Sequence, residues 1–380
     1  MEPHDPLPPA RDKLLFTPGP LTTSLGVKQA MLHDAGSWHF EFNRVVTRIR
    51  EKLRDLSGAP AASGLECVLM QGSGTFGVES VVTSVVPPRG KLLVVSNGAY
   101  GERIGAIAKA ARIPHEVLRF PEEQIPRVED IDRALAADPV ITNVAAVHCE
   151  TTTGILNPLL AIGRTVRRRG RVFIADAMSS FGAVPIDFEG AGIDYLISSA
   201  NKCIEGVPGF SFILCRRERL METAGWARSH SLDLHDQWRG FEKNGQFRFT
   251  PPTHALLAFD RALRELEEEG GIAARGARYA ANHQALVSGA AALGFEPLLE
   301  PEVRSAIITA FRYPIDARFR FDDFYRLLSD RGMIIYPGKL TKVDTFRIGT
   351  IGRIFPPDIV RLLSAMEAAL RGMNCKIPVR

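Results

Sequence analysis

The chain has 380 residues, 45% of them hydrophobic, and a net charge of +4 from 47 basic and 43 acidic side chains. That length carries two domains or one large α/β unit with an appendage. The mixed charge argues against a nucleic-acid-binding surface.

The N-terminus, MEPHDPLPPARDK, is Pro-rich without an apolar core, so it reads as neither a signal peptide nor a membrane span. No apolar stretch is long enough to cross a bilayer, and a soluble cytoplasmic protein is the expectation. Residues 1–12 read as a flexible arm. Strands are predicted at Glu66–Met70, Lys91–Ser96, Asn143–Cys149, Val172–Ala175, Tyr195–Ser198 and Ser211–Cys215. Helices are predicted at Thr75–Val86, Gly101–Ala111 and Pro158–Arg169, with a long one near Ala255–Glu269. The first stops before Pro87-Pro88. Arg167-Arg168-Arg169 before Gly170 reads as a solvated helix end. Continuous apolar strands separated by helices indicate a mostly parallel central sheet with helices on both faces.

After Gly270-Gly271 the pattern changes. A helix to Leu293, strand Ala306–Phe311, helix Asp322–Arg331, strands Met333–Ile335 and Thr345–Ile348, and a last helix from Pro357 suit a smaller C-terminal α+β domain. The expected division is an N-terminal arm at 1–21, a large domain at 22–273 and a small domain at 274–380. The five cysteines form no CxxC pair and read as reduced and structural, Cys203 beside Lys202 included. No metal site is expected.

Three groups carry chemistry. Gln71-Gly72-Ser73-Gly74-Thr75 joins a strand to a helix, where a tight turn and free helix N–H groups suit an anion. Gly72, Gly74 and Gly77 also satisfy GxGxxG, so a dinucleotide site and a purely structural turn are rival readings. The dinucleotide reading wants an acid at the end of the second strand, where Ser96-Asn97 stands instead. Asp176 ends the fourth strand, where it either caps a helix or serves a site. Lys202 follows a further strand end, where a lysine is unusual unless paired or reactive. An anion loop, then an acid, then a lysine is the order that pyridoxal-phosphate (PLP) chemistry needs: phosphate, pyridine nitrogen and aldehyde each find a partner.

With these residues the sequence resembles the class V branch of the fold-type I PLP-dependent aminotransferases, most closely the 2-aminoethylphosphonate–pyruvate transaminases. The resemblance runs through Leu15–Thr23, Val95–Gly101, Glu150–Gly154, Asp176–Gly182, Ile197–Cys203, Tyr336–Lys339 and Phe346–Gly349. It implies that Ser73, Gly74 and Thr75 bind the PLP phosphate, that Tyr100 stacks on the ring, and that Thr151 bonds near the ring hydroxyl. It implies that Asp176 pairs with the pyridine nitrogen and that Lys202 forms the Schiff base and then acts as acid and base. Thr250, in Phe249-Thr250-Pro251-Pro252, would reach the phosphate across a homodimer interface. Arg347 would bind the acidic group of the substrate, since a guanidinium fork suits carboxylate and phosphonate. The implied reaction moves the amino group of 2-aminoethylphosphonate to pyruvate, giving phosphonoacetaldehyde and L-alanine. One segment departs from the family pattern. Members tend to be acidic after the residue matching Trp38, whereas this chain has Trp38-His39-Phe40-Glu41. If that loop lines the substrate entrance, with Trp38 a substrate contact, another small donor of the alanine or serine–glyoxylate type stays open.

Overall fold

The computed structural model describes residues 12–60, 63–339 and 343–379. Of the arm expected at residues 1–12, all but Asp12 lies outside the described residues. In chain order, β1 (Leu14–Leu15), α1 (Leu25–Ala30) and α2 (Phe40–Leu56) precede β2 (Leu65–Gln71). Then come α3 (Gly74–Val85), β3 (Lys91–Ser96), α4 (Ala99–Ala110), β4 (His115–Arg119), α5 (Val128–Ala137) and β5 (Ile141–Val147). A small hairpin of β6 (Cys149–Glu150) and β7 (Ile155–Leu156) leads to α6 (Leu159–Arg168), β8 (Val172–Asp176), β9 (Tyr195–Ser199) and β10 (Phe210–Arg216). Four helices follow: α7 (Arg217–Met221), α8 (Leu234–Asn244), α9 (Thr253–Glu269) and α10 (Gly271–Leu293). The C-terminal part holds β11 (Ile308–Arg312), α11 (Phe321–Asp330), β12 (Met333–Ile334), β13 (Tyr336–Pro337), β14 (Thr345–Gly349) and α12 (Pro356–Gly372).

The seven long strands of the first part form one sheet in the order β2-β10-β9-β8-β5-β3-β4. Only β10 runs against its neighbours; the pairs from β9 to β4 are parallel. Val94, Val144, Ala145, Phe173 and Ile197 are fully buried, as the strands' unbroken apolar runs require of a sheet covered on both faces. Helix α2 shows the complementary pattern: Phe42, Val46, Ile49 and Leu53 are buried at helical spacing and face β2 and α9. Because the strands are parallel, the C-terminal ends of β2, β3, β5, β8 and β9 open on one edge. That edge is where an open α/β sheet presents its ligand site.

The second sheet is antiparallel, in the order β11-β14-β13. The hydrophobic core of the first part runs from Val27 to Leu266, while a second cluster combines Phe16 with residues from Leu286 to Val379. On that division we propose a border between large and small domains near residue 273. The strand expected to run through Cys149 stops at Val147, because Asn157 takes the carbonyls of Val147 and His148 and folds the chain back into the β6–β7 hairpin. Helices α2, α5 and α8 and the mixed-polarity edge strand β4 are elements that the apolar runs alone did not delimit.

Candidate active site

Ser73, Gly74, Thr75, Tyr100, Asp176 and Lys202 line a single cavity at the C-terminal edge of the large sheet. They come from four separate strand ends, those of β2, β3, β8 and β9. Ser73 is the N-cap of α3, and its side chain makes no capping bond to the helix. The first turn of α3 holds no acidic residue, so its N–H groups and partial positive charge face the cavity uncompensated. Arg103 adds a full charge there: its Nη1 lies 3.1 Å from Thr75 Oγ1, and its guanidinium sits 4.7 Å from the centre of the Tyr100 ring.

Asp176 is nearly inaccessible to solvent. One of its oxygens accepts the Met178 N–H at 3.0 Å, and among the described residues no cation lies within 4.0 Å of it. Burial therefore pushes its carboxyl up to about 6, helped by the nearby charge of Glu150 and opposed by the Met178 bond, Lys202 and Arg103. Lys202 is likewise without a carboxylate within 4.0 Å. Its Nζ donates to Pro18 O at 2.6 Å, and removal from water lowers its pKa from the ordinary lysine value. The segment that supplies this carbonyl passes so close that only glycine fits at position 19. There φ is +114°, and a Cβ would lie 2.9 Å from Lys202 Nζ.

A buried acid without a cation, a half-buried amine without an anion, and a helix N-terminus flanked by hydroxyls and an arginine make a specific donor set. It suits an aromatic ring that carries a basic nitrogen, an aldehyde and a phosphate.

Thr151 and Arg347 stand beside Tyr100. Neither lines the cavity directly, but both lie close enough to act on the Tyr100 hydroxyl. Burial on its own would raise the Tyr100 pKa, but the Thr151 hydroxyl and the charges of Lys202, Lys339 and Arg347 bring it below the ordinary tyrosine value. Arg347 projects from the middle of β14 and is 2% exposed, so its guanidinium is held inside the protein and not on its surface. Its Nε donates to Pro337 O at 2.9 Å and its Nη1 to Thr151 O at 2.8 Å. Tyr100 itself is placed by Glu150, whose buried carboxylate accepts the N–H groups of Tyr100 and Gly101 at the start of α4 and the Thr152 hydroxyl. Gly98 allows this approach, since a Cβ there would meet Glu150 Cγ at 2.4 Å.

Trp38 and Thr250, two further expected site residues, also lie outside the cavity of the single chain. Trp38, in the loop that leads into α2, is 78% exposed. The buried face of α2 docks onto β2 and α9 and carries that loop onto an open face of the chain. Thr250 is exposed as well, its carbonyl accepting from the Gln71 side chain. Sequence reasoning missed Arg103, Glu150 and the Pro18 carbonyl. Arg103 follows Tyr100 by three residues, the spacing that puts both on one face of α4. All five cysteines are free and buried; Cys203 Sγ is directed to Ser179 O.

Comparison with known proteins gives this geometry a context. The chain is 50% identical over 367 residues to the 2-aminoethylphosphonate–pyruvate transaminase of Salmonella heidelberg, covering 96% of this chain and 100% of that one. It is 51% identical over 363 residues to the enzyme of the same name from Salmonella typhimurium, covering 95% and 98%. In fold it is similar to a pyridoxamine–pyruvate aminotransferase from Mesorhizobium loti, with a TM-score of 0.87, 23% identity and coverage of 98% and 95%. A ureidoglycine–glyoxylate aminotransferase from Bacillus subtilis gives a TM-score of 0.87 at 24% identity, covering 99% and 96%. The family model described as aminotransferase class-V matches residues 25–348, and the chain belongs to that family.

Proposed function

We propose that this protein transfers the amino group of 2-aminoethylphosphonate to pyruvate, with pyridoxal 5′-phosphate as cofactor. The observation that carries the reading is the meeting, on one cavity, of an acid and an amine that both lack a counter-ion, beside a helix N-terminus. The likeness to the Salmonella enzymes supports the choice of donor. Ser73, Gly74 and Thr75 would hold the phosphate, with Arg103 beside them. When bound, the cofactor supplies an electron-withdrawing ring and a carbon that carries the amino group between the two substrates.

The residues of the chain do the rest. Asp176 holds a proton on the ring nitrogen: an ionised carboxylate in a buried site favours its positive partner strongly. Lys202 would hold the cofactor through Nζ, and with that nitrogen free it would take the proton from the amine-bearing carbon of the substrate. The lowered pKa of Lys202 keeps a larger share of that nitrogen neutral, the form that accepts a proton. Tyr100, which lines the cavity, would pack against the ring, and Arg347 would attract the acidic group of each substrate toward Tyr100. Pyruvate would receive the amino group in the second half of the reaction, with Lys202 returning the proton.

We also propose a cytoplasmic homodimer. Among the described residues no helix is long and apolar enough to cross a membrane. Leu25, Leu32, Trp38, Phe40, Phe76 and Phe249 are large apolar side chains left exposed on the single chain, and Thr250 stands next to the last of them. A second copy seated there would cover them and bring Trp38 and Thr250 to a site. The test of the reaction is a panel of amino donors offered to purified protein with pyruvate or glyoxylate. Phosphonoacetaldehyde and L-alanine are the expected products. Turnover of alanine or serine with glyoxylate, and none of 2-aminoethylphosphonate, would replace this reading with the alanine/serine–glyoxylate one.

A further inference from the structure

A carboxylate carries one negative charge, and a phosphonate carries up to two on three oxygens. An arginine with its whole fork free matches the first. Here Arg347 has its Nε and part of its Nη1 committed to the backbone carbonyls of Pro337 and Thr151. That leaves only the remainder of one singly charged fork for a substrate anion. A second cation stands on the same side of the site. Lys339 Nζ lies 3.5 Å from the Tyr100 hydroxyl and 5.1 Å from the centre of its ring. Lys339 lies two residues beyond the end of β13, and β13 pairs Tyr336 with Arg347 in register. The Gly338 N–H donates to Thr345 O at 2.9 Å and ties the residue next to Lys339 to the strand that carries Arg347. Among the described residues neither Lys339 nor Arg347 has a carboxylate within 4.0 Å. Two cations without a carboxylate partner therefore stand by Tyr100, Lys339 at its hydroxyl and Arg347 on the Thr151 carbonyl, while Arg103, bonded to Thr75, is the cation left for the cofactor's phosphate.

Resting on the transaminase reading above, we propose that Lys339 is a specificity-determining residue: the second cation, paired with Arg347, that selects a doubly charged phosphonate over a singly charged carboxylate. Its ammonium is a point charge with three donors, suited to an oxygen that the partly committed fork of Arg347 does not reach. A lysine that merely rests on an aromatic ring would contribute equally whatever donor is bound. The two roles separate by comparing donors on one enzyme form.

The experiment uses the holoenzyme and single-turnover loss of the cofactor absorbance, with 2-aminoethylphosphonate or L-alanine as donor, in wild type, Lys339→Gln and Lys339→Arg. The expected result is an apparent Kd for 2-aminoethylphosphonate raised about tenfold or more in Lys339→Gln. This is the order of one charge-assisted hydrogen bond. The value for L-alanine should move less than about threefold, and Lys339→Arg should recover most of the loss. A second readout is the pH profile. Wild type favours the dianion, so kcat/KM for the phosphonate rises through its second ionisation, and Lys339→Gln flattens that rise while leaving the alanine profile in place. Equal weakening of both donors, no weakening, or an unchanged phosphonate profile overturns the assignment of Lys339 and leaves the reaction standing. Absence of any wild-type turnover of 2-aminoethylphosphonate overturns the reaction itself, and the inference with it.

Discussion

Lys202 and Arg347 are both cations beside Tyr100, yet they are held in opposite ways. The backbone around Lys202 is clamped while its amine is left almost free. Glu205, in the left-handed region at φ +65°, donates its N–H to Lys202 O at 2.7 Å. Its carboxylate accepts from Arg278 at 2.7 Å and Tyr279 at 2.6 Å, and Arg275 holds Cys203 O at 2.6 Å; all three partners lie on α10. A buried network of this kind fixes a segment without touching the reactive nitrogen, which donates to the Pro18 carbonyl. Arg347 is the reverse case: the strand around it is ordinary, and the guanidinium is pinned by two carbonyls. A group that must form and break bonds needs a rigid base and a mobile tip. A group that only attracts an anion is better with its tip fixed in advance.

Removing the mobile tip should have the largest effect. Lys202→Ala is expected to lower turnover of every donor by on the order of 10⁴-fold, the upper range for a positioned acid–base group. Borohydride treatment of the wild type followed by peptide mapping should put the pyridoxyl label on Lys202; a label on another lysine would sink the assignment. Asp176→Asn comes next. A neutral amide does not hold a proton on the ring nitrogen, and an ion pair shifts such a proton by one to three pKa units, so about a hundredfold loss in kcat with cofactor still bound is expected. Turnover near wild type would leave Asp176 with a structural role only. On the pinned side, Arg347→Ala removes one charge-assisted interaction of roughly 1.5–3 kcal/mol, or ten- to a hundredfold in kcat/KM for both the donor and pyruvate. Arg347→Lys should recover part of it. The contrast between the two sides is sharpened if the cofactor spectrum changes in the Lys202 and Asp176 variants and stays fixed in the Arg347 variants. It is broken if Arg347→Ala slows neither half-reaction.

The two sides were also unequally legible in the sequence. Asp176, Lys202 and the Ser73–Thr75 turn stand directly after apolar strands, and parallel strands deliver their C-terminal ends to one edge. Local pattern was therefore enough to bring them together. Tyr100 and Arg103 needed the start of α4 at Ala99 rather than at Gly101. Glu150 was hidden because the strand before it ends two residues earlier than its apolar run, at the bend that Asn157 enforces. The distance between Arg347 and Tyr100 depends on how the two sheets meet, a long-range property that no periodicity encodes. Family resemblance alone pointed to it. Trp38 and Thr250 belong to a face that a single chain leaves open, and only a bound second copy tests them.

The smallest expected effect concerns protons on the cofactor side. In the protein without cofactor, burial raises the Asp176 carboxyl to about 6. Below that pH the folded protein carries a proton there. A ring nitrogen that also arrives protonated must displace one of the two, because the finished pair holds a single proton. Cofactor affinity is therefore expected to be level from about pH 6.5 upward and to weaken toward a limit of tenfold per pH unit below 6. The phosphate takes up its own second proton near pH 6 and adds a slope of its own. Asp176→Asn separates the two: a neutral amide holds no ring proton, so the variant gives up that proton wherever the ring nitrogen arrives protonated, and it slopes by one unit above pH 6, where the wild type is level. Absorbance or fluorescence titrations of the cofactor into both proteins from pH 5 to 8 measure the difference. Below pH 6 the two slopes should match; a variant still one unit steeper at pH 5 would mean that Asp176 is already ionised there, and that Lys202 and Arg103 outweigh burial at that carboxylate.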